Sequence, residues 1–490
     1  MRWTLEQVAR ALGVLAPAGV DPVARLAGVS IDSRTVGAGE LFVAIHGPRH
    51  DGHSFVAAAL AAGAPAGVVA RERLGEYAES VRGRLIAVED TVAALQQLAR
   101  AVRREWARAG EGRRVGAVTG STGKTTTKEI WAALLAARHR VLKSEGNLNN
   151  EYGVPLTLLR LEEEDAAVVE LGMSHRGELA RLAEIAEPEI GVVTNVAPVH
   201  LEFFASLEEI ALAKRELVDG LARQKSGGQA GAERVAVLNA DDARVVRFAD
   251  GFRGRVVTFG TTSRAEFRAE KIEDRGASGS AFDFVCPAGR ARLELPLVGQ
   301  HNVLNALAAL AAANEWGAGV ADARRVFPKL LPAAMRGEVL RFEAGITVIN
   351  DCYNSNPVAL ASMIELLAAT TGHQRRILVA GEMLELGPSS AELHREAGGQ
   401  AAATQRVAWI FGVQGAAAEL VRGAVEAGQS DTCTQFFENS EEAARFLAEF
   451  VAPGDLVLVK GSRGVKMERI VEALKEKLTS VAPEAGTEGG

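Results

Sequence analysis

The sequence predicts an α/β protein of three domains built on mostly parallel sheets. The chain has 490 residues, which corresponds to roughly three domains of typical size. Short apolar runs alternate with helical patterns along most of the chain, as they do where helices connect parallel strands. Polar segments follow several of these runs, and ligands of such sheets bind at the carboxyl ends of the strands.

The first domain, residues 1–90, is predicted to be small and to mix strands with helices. A helix at Thr91–Ala107 then leads into a central domain, residues 91–333. The elements expected in the first domain are strands at Leu41–Ile45 and Leu85–Val88 and a helix at Ser54–Ala62.

A glycine-rich loop between a strand and a helix is the most informative segment. The strand is Val115–Thr119, the helix begins near Lys124, and the pattern that joins them is T-G-x-x-G-K-T-T. Backbone N–H groups of such a loop point at an anion, and the helix N-terminus favours negative charge. A lysine at this position reaches the terminal phosphates, and the next hydroxyl can bind Mg²⁺. We therefore predict that the chain binds ATP through this P-loop.

An ordinary strand-to-helix turn is the alternative interpretation of this segment. Val118 stands where the full P-loop motif has its first glycine. The lysine and the three threonines after it favour the phosphate-binding interpretation.

Three polar residues of the central domain are candidates for chemistry. Glu170 ends an apolar strand, where its carboxylate could hold Mg²⁺, although a capping or loop glutamate is the alternative. His200 lies in the segment T-N-x-x-x-x-H-L-E, where it could be a metal ligand, a base or a plain loop histidine. Lys214 lies on a helix, Leu207–Leu221, and its spacing alone favours a solvated surface lysine. The central strands are expected at Ala166–Glu170, Ile190–Thr194 and Val235–Leu238.

Strand and helix patterns alternate again over residues 334–490, which predicts a Rossmann-like C-terminal domain. Polar clusters follow its strands at Asn350-Asp351, Gly381-Glu382 and Gly461–Arg463. The segment 224–231 is expected to be a loop, and the tail from about residue 483 to be disordered. The strands are expected at Ile346–Ile349, Arg376–Ala380, Val407–Phe411 and Asp455–Lys460.

Composition excludes several classes of protein. The net charge of −7 argues against a general nucleic-acid binder, whose surface is usually basic. Three distant cysteines without a C-x-x-C spacing argue against a zinc site and against a disulfide framework. The N-terminus lacks the apolar region of a signal peptide, and the longest apolar run, Ala306–Ala313, is too short to span a bilayer. These features predict a cytoplasmic protein with no membrane insertion.

The motifs together resemble the Mur ligases, the ATP-dependent peptide ligases of peptidoglycan assembly, and the resemblance covers essentially the whole chain. Besides the P-loop, the Glu170 strand end and the segment with His200, they include A-K-x-x-L around Lys214, G-Q-H-N-V-L-N from Gly299 and M-R-G-E from Met335. Four further segments resemble the branch that adds D-alanyl-D-alanine. One residue departs from that branch, since Tyr152 stands where isoleucine is usual. The D-N-P-R motif of the diaminopimelate-adding branch is absent. The four segments are Gly146–Pro155, Asp351–Pro357, Gly381–Gly387 with His394, and Lys460–Arg463 with Met467-Glu468.

The resemblance implies an ATP-dependent ligase that joins UDP-N-acetylmuramoyl-tripeptide to D-alanyl-D-alanine through an acyl phosphate. It implies ATP and two Mg²⁺ ions as cofactors, an N-terminal domain that binds the UDP substrate, and a monomer. The catalytic residues would be Lys124, Glu170, His200 and Lys214.

The resemblance also implies a set of binding residues. ATP would contact Gly120, Ser121, Thr122, Gly123, Lys124, Thr125, Thr126, Asn302, Arg336 and, at the ribose, Asp351. The metal ligands would be Thr125, Glu170, His200 and a carbamylated Lys214. The UDP substrate would contact Ser33, Arg34, Gly47 and Arg49. The D-alanyl-D-alanine side would contain Asn354, Asn356, Leu384 and Glu385.

Other functions stay open at this point. One is another Mur-type or folylpolyglutamate-type amide ligase, although the latter would not need a UDP-binding domain, and the segments 351–357 and 381–387 argue against it. Another is a P-loop switch, which would hydrolyse ATP without forming a ligated product.

Overall fold

The computed structural model describes residues 3–48, 50–199, 201–223 and 233–478. Its strands form three sheets of four, nine and six strands, and helices accompany each sheet. This architecture confirms the predicted α/β class with three sheet regions. The predicted loop at 224–231 and the tail from about 483 lie outside the described residues, and the domain boundaries near 90 and 334 stay a prediction.

The first sheet is parallel, with strand order β1-β2-β3-β4. Leu41 and Val43 face one side and pack into the core shared with the helix that follows the sheet, whereas Phe42 faces the other side. Successive side chains of a strand point to opposite faces, so a strand covered on both sides is apolar throughout. The elements are α1 (Leu5–Leu12), β1 (Gly28–Ser30), β2 (Glu40–Val43), α2 (Val56–Ala61), β3 (Gly67–Ala70), α3 (Glu79–Arg82) and β4 (Leu85–Val88).

The second sheet has the order β13-β12-β11-β10-β9-β8-β5-β7-β6 and is parallel from β6 to β11. The strand before the P-loop, β5, lies between β7 and β8, so the three segments that follow these strands share one edge. The elements are α4 (Thr91–Arg108), β5 (Arg114–Thr119), α5 (Lys124–Ala136), β6 (Val141–Lys143), α6 (Gly153–Leu158), β7 (Ala166–Glu170), α7 (Glu178–Ala186), β8 (Ile190–Val193), α8 (Leu207–Arg223), β9 (Val235–Asn239), β10 (Arg255–Gly260), β11 (Phe267–Asp274), β12 (Ser280–Cys286), β13 (Gly289–Leu295), α9 (Gln300–Asn314) and α10 (Val320–Val326).

Helices cover both faces of this second sheet. One face packs against α4, α6, α7 and α8, and the other packs against α5, α9 and α10. Helix α4 starts at a side-chain cap, since Oδ1 of Asp90 accepts hydrogen bonds from the N–H groups of Val92 and Ala93.

The predicted alternation of strand and helix is wrong between residues 255 and 295. Strands β11, β12 and β13 follow β10 without an intervening α-helix, and β12 pairs antiparallel with both β11 and β13. Buried Ala291, Leu293 and Leu295 alternate with more exposed charged residues along β13. This period of two is typical of strands with one solvated face, and it could have predicted the hairpin.

The third sheet has the order β14-β15-β19-β16-β17-β18, with β14 antiparallel to the rest. Its last strand lies between β15 and β16, so Asp351 and Lys460 end neighbouring strands. The elements are β14 (Glu338–Arg341), β15 (Thr347–Asp351), α11 (Pro357–Ala369), β16 (Arg375–Gly381), α12 (Ser390–Ala403), β17 (Trp409–Val413), α13 (Ala417–Glu426), β18 (Thr434–Phe437), α14 (Ser440–Phe450), β19 (Asp455–Lys460) and α15 (Glu468–Lys477).

Membrane-spanning helices are absent from the described part of the chain. None of its helices is both long enough and apolar enough to cross a bilayer.

Candidate active site between the second and third sheets

A cavity of about 860 Å³ lies where the strand ends of the second sheet face those of the third. Most residues predicted for ATP, metal and D-alanyl-D-alanine line it, although they are spread over more than half of the chain. The predicted residues that line it are Gly120, Ser121, Thr122, Gly123, Lys124, Thr125, Thr126, Glu170, Lys214, Asn302, Arg336, Asp351, Asn354, Asn356 and Glu385.

Some predicted residues are not brought to this cavity. Leu384 precedes a lining residue but is not itself part of the wall, and Ser33, Arg34 and Gly47 belong to the first sheet region. His200 and Arg49 lie outside the described residues.

The P-loop adopts a conformation that requires glycine at two positions. Gly120 has φ +146° and Gly123 has φ +82°. A side-chain carbon built on Gly123 would overlap Oδ1 of Asn305 and lie 3.0 Å from its Cγ. Because Gly123 directly precedes α5, its freedom allows the loop to turn sharply into the helix. The N-terminus of α5 therefore faces the cavity, as an anion site requires.

The segment after β8 holds this loop in place. Asn195 accepts from Ser121 N through its backbone O at 2.9 Å and from Thr122 N through Oδ1 at 3.0 Å. Oγ1 of Thr194 donates to the backbone O of Thr122 at 2.6 Å. The sequence analysis considered this segment for His200 only and did not predict that Thr194 and Asn195 hold the P-loop. Their position at the end of a strand was the one sequence signal for this role.

Lys124 is partly buried at the start of α5. Its Nζ donates to the backbone O of Gly120 at 2.8 Å and to that of Ser121 at 3.3 Å. Burial lowers the pKa of Lys124; Glu170 opposes this shift and Arg336 adds to it. The arrangement places a cationic group beside the N–H groups of the loop, where phosphate oxygens could bind.

Glu170 and Thr125 form a buried oxygen pair below the loop. Oε2 of Glu170 accepts from Oγ1 of Thr125 at 2.7 Å, and Oε1 accepts from Nδ2 of Asn149 at 2.9 Å. The Glu170 N–H donates to Oγ of Ser144 at 3.1 Å, which fixes the strand end. Carboxylate and hydroxyl oxygens are ligands that Mg²⁺ accepts, so this pair fits a hard cation. The described residues contain no group of three or more His, Cys, Asp and Glu side chains placed to hold a metal.

The expectation from spacing that Lys214 is a solvated lysine is wrong. Lys214 is only 2% exposed, and Ala213 and Leu217, which lie near it on α8, are also buried. Among the described residues, none forms a hydrogen bond or an ion pair with its amine. Burial, together with the charge of Lys124, lowers the pKa of Lys214 well below its ordinary value. Carbamate formation needs a neutral amine, and the lowered pKa of this cavity-lining lysine makes the neutral form easier to reach.

The opposite wall carries the remaining nucleotide candidates. Asn302 donates to the backbone O of Val298 at 2.8 Å and accepts from Nδ2 of Asn305 at 2.9 Å. The guanidinium carbon of Arg336 lies 3.9 Å from the ring centroid of Tyr353, a cation–π arrangement that orients the arginine. Tyr353 lines the cavity too, and the sequence did not single it out.

Two loops of the third sheet form the predicted dipeptide side. Oδ1 of Asn356 caps α11 by accepting from the N–H of Ala359 at 2.9 Å, so this asparagine also has a structural role. The neighbouring loop is braced by buried His394, whose Nε2 accepts from the N–H of Met383 at 2.9 Å. Its Nδ1 lies 2.7 Å from the backbone O of Ser390 and donates to it. Burial lowers the pKa of His394, in agreement with this neutral tautomer.

The first sheet region has a cavity of its own. It measures about 520 Å³ and lies between residues around Asp32 and residues of the second region such as Leu156. Arg34 pairs with Asp32 through Nε and a terminal nitrogen at 2.9 and 2.6 Å, and this pairing lowers the pKa of Asp32 to about 2. The predicted UDP residues Ser33 and Arg34 thus lie next to this cavity, which is distinct from the one at the P-loop.

Comparison with known proteins places this architecture in one family. Family models match three successive segments: the Mur ligase family catalytic domain at residues 25–103, the Mur ligase middle domain at 118–313, and the Mur ligase glutamate ligase domain at 335–463. The chain belongs to the Mur ligase family.

Several relatives within the family align with most of the chain. The chain is 34% identical over 450 residues to UDP-N-acetylmuramoyl-tripeptide–D-alanyl-D-alanine ligase of Bacillus subtilis strain 168, covering 92% of this chain and 93% of the relative. A crystal structure of MurF from Acinetobacter baumannii matches with a TM-score of 0.83 and 29% identity, over 97% of this chain and 99% of that one. The crystal structure of MurF ligase from Thermotoga maritima in complex with ADP matches with a TM-score of 0.77 and 30% identity. The match covers 92% of this chain and 97% of that one.

Proposed function

We propose that this protein is an ATP-dependent ligase that adds D-alanyl-D-alanine to UDP-N-acetylmuramoyl-tripeptide in peptidoglycan precursor synthesis. One observation carries the proposal. A single cavity joins the P-loop, on one wall, to the Asp351–Asn356 segment and Glu385, on the other. Relatives that bear this activity in their names align with more than nine-tenths of the chain.

The reaction proceeds in two steps in this proposal. A carboxylate is a poor electrophile, so an oxygen of the tripeptide carboxylate first attacks the γ-phosphorus of ATP and releases ADP. The amine of D-alanyl-D-alanine then attacks the acyl carbon, phosphate leaves, and the nitrogen loses a proton. The protein contributes by positioning the reactants and by offsetting charge on the transferring group.

The P-loop wall would hold the nucleotide. Lys124 and the backbone N–H groups of 120–126 bind the phosphates, while Asn302, Arg336 and Asp351 contact the nucleoside. The Thr125–Glu170 pair would hold one Mg²⁺, and Glu170, His200 and carbamylated Lys214 would hold a second. These ions would neutralise phosphate charge. Two observations support these assignments: the Thr125–Glu170 contact of 2.7 Å, and buried Lys214, whose amine has no hydrogen-bond or ion-pair partner within the described part of the chain.

The other substrates would bind at the first sheet region and at the third-sheet wall of the cavity. The UDP group binds the first region through Ser33, Arg34, Gly47 and Arg49, and the dipeptide binds near Asn354, Asn356, Leu384 and Glu385. We further propose domain boundaries near residues 90 and 334, a monomer and a cytoplasmic location. A chain that ends at Leu330 should still bind UDP-N-acetylmuramoyl-tripeptide by calorimetry, but should form no product.

One assay separates this function from its alternatives. The full chain is incubated with ATP, UDP-N-acetylmuramoyl-tripeptide and D-alanyl-D-alanine, and the product is identified by mass. The pentapeptide, formed in step with ADP, supports the proposal. ADP without a ligated product would indicate a P-loop switch. If a ligated product forms only when free amino acids or a folate replace these substrates, the protein is another amide ligase.

A further inference from the structure

Lys460, the last residue of β19, is buried on the cavity wall and bonded to two segments that line it. Its side chain is 3% exposed. Nζ donates to Oδ2 of Asp351 at 2.6 Å and to the backbone O of Asn354 at 2.9 Å. The sequence motifs give this lysine no role of its own.

The strand order brings these residues together. Because β19 lies between β15 and β16, Asp351 pairs with Lys460 in the parallel register. A buried ammonium is costly unless acceptors surround it, and here a carboxylate oxygen and a carbonyl oxygen meet that requirement. The contact therefore holds the carboxylate of Asp351 in one orientation.

This orientation leaves one oxygen of Asp351 available. Lys460 occupies Oδ2, and no described residue donates a hydrogen bond to Oδ1. The Asp351 side chain is 16% exposed and lines the cavity. A carboxylate oxygen presented in this way accepts a hydrogen bond from a hydroxyl, which is what a ribose offers.

The same strand end also holds the proposed dipeptide side. Lys460 fixes the backbone of Asn354, whose side chain is exposed. Two residues later, Oγ of Ser462 accepts from the N–H of Leu384 at 3.0 Å and lies 3.4 Å from the backbone O of Ser355. Ser462 thus connects the two dipeptide loops without contacting Asp351, whereas Lys460 connects the Asn354 loop to Asp351.

We propose that Lys460 is a positioning residue that turns the carboxylate of Asp351 toward the ribose of ATP and keeps the Asn354 loop in register with it. The inference rests on the proposed function, in which Asp351 contacts the ribose. Through these two bonds, Lys460 links nucleotide recognition to the placement of the dipeptide.

The test measures ribose recognition rather than activity alone. The full chain and its variants K460M, D351N and K460M/D351N are assayed for pentapeptide formation with ATP, 2′-deoxyATP and 3′-deoxyATP, and kcat/KM is compared. A hydrogen bond to a charged group predicts that the wild type prefers ATP over one of the deoxy analogues by about tenfold or more. D351N should abolish this preference, K460M should reduce it to within about threefold of D351N, and the double variant should reduce it no further.

Two further variants make the test specific. S462A should raise KM for D-alanyl-D-alanine but keep the ribose preference, since Ser462 does not contact Asp351. K475M removes a lysine from an exposed position of α15 and should match the wild type. K460R, which keeps the charge and the donors, should retain more of the preference than K460M and provides a second variant if K460M folds poorly by circular dichroism.

Three results would overturn the inference. If K460M keeps the full preference while D351N loses it, Asp351 is oriented without Lys460 and the ribose assignment survives. If S462A loses the preference as K460M does, general loosening of the loops explains the effect. If D351N itself keeps the preference, the ribose assignment fails together with the role of Lys460.

Discussion

Replacing Gly123 by alanine should damage both stability and nucleotide binding, and the structure allows the two causes to be separated. Gly123 has φ +82°, and a side-chain carbon there would overlap Oδ1 of Asn305. The backbone conformation costs an L-residue about 1–2 kcal/mol. Moving Asn305 away breaks its hydrogen bond to Asn302 in a buried site, which adds about 1–3 kcal/mol.

Gly112 provides a matched control. It has φ +79°, but a side-chain carbon built there has nothing within 4 Å. G112A should therefore lose only the conformational term, about 1–2 kcal/mol of the free energy of unfolding, whereas G123A should lose about 2–5 kcal/mol. Replacing glycine by alanine also lowers the conformational entropy of the unfolded chain. This effect is the same in G112A and G123A, so it cancels when their unfolding free energies are compared.

Urea unfolding followed by circular dichroism measures the first effect, and KM for ATP measures the second. G123A should raise KM for ATP by about tenfold or more, since the displaced Asn305 no longer holds Asn302 and the loop loses its turn. G112A should leave KM unchanged. In an N305A background, the extra destabilisation of G123A should disappear. Equal unfolding free energies for G112A and G123A would refute the reasoning, because the contact with Asn305 would then cost nothing.

Three other predictions concern titratable side chains. K124A should lower kcat on the order of a thousandfold with an unchanged circular dichroism spectrum, and near wild-type turnover at saturating ATP would disprove the phosphate role of Lys124. K214A should be nearly inactive but partly rescued by added short carboxylic acids, whereas K214R should stay inactive because arginine forms no carbamate; an active K214R would contradict the metal role. His394 has a folded pKa below its ordinary 6.5, so its stabilising contribution is complete above pH 6.5 and is lost as the pH falls toward the folded pKa. Between pH 7 and 5, the free energy of unfolding should thus fall more steeply for the wild type than for H394Q, and equal slopes in urea titrations would show that His394 is not held neutral.

The P-loop illustrates what local sequence determines. Its glycines, its lysine and its hydroxyls act through the backbone of one short turn, so the pattern T-G-x-x-G-K-T-T predicted the loop, the start of α5 and the wall of the cavity. The strand end at Glu170 was predicted in the same way, because the apolar run stops where the strand does. The strand predicted to end at Ile349 instead continues to Asp351. The pattern could not show that Asn195 clamps the loop, since that contact joins residues more than 70 positions apart in the chain.

Helix α8 shows where periodicity fails. Its spacing indicated a surface lysine at Lys214, yet Lys214 is 2% exposed while Leu212 on the same helix is 46% exposed. Periodicity states which residues share a face of a helix, but the segments that cover this face come from elsewhere in the chain. Only the family resemblance pointed to the correct environment of Lys214 before the structure did.

The sequence by itself determined the α/β class and the phosphate-binding loop, because both depend on short-range pattern and backbone chemistry. The tertiary structure decided which residues meet. The insertion of β19 between β15 and β16 is a choice of strand order, and it pairs Lys460 with Asp351 across 109 positions of sequence. Strand order follows from the packing of whole layers against one another, so no local pattern records it.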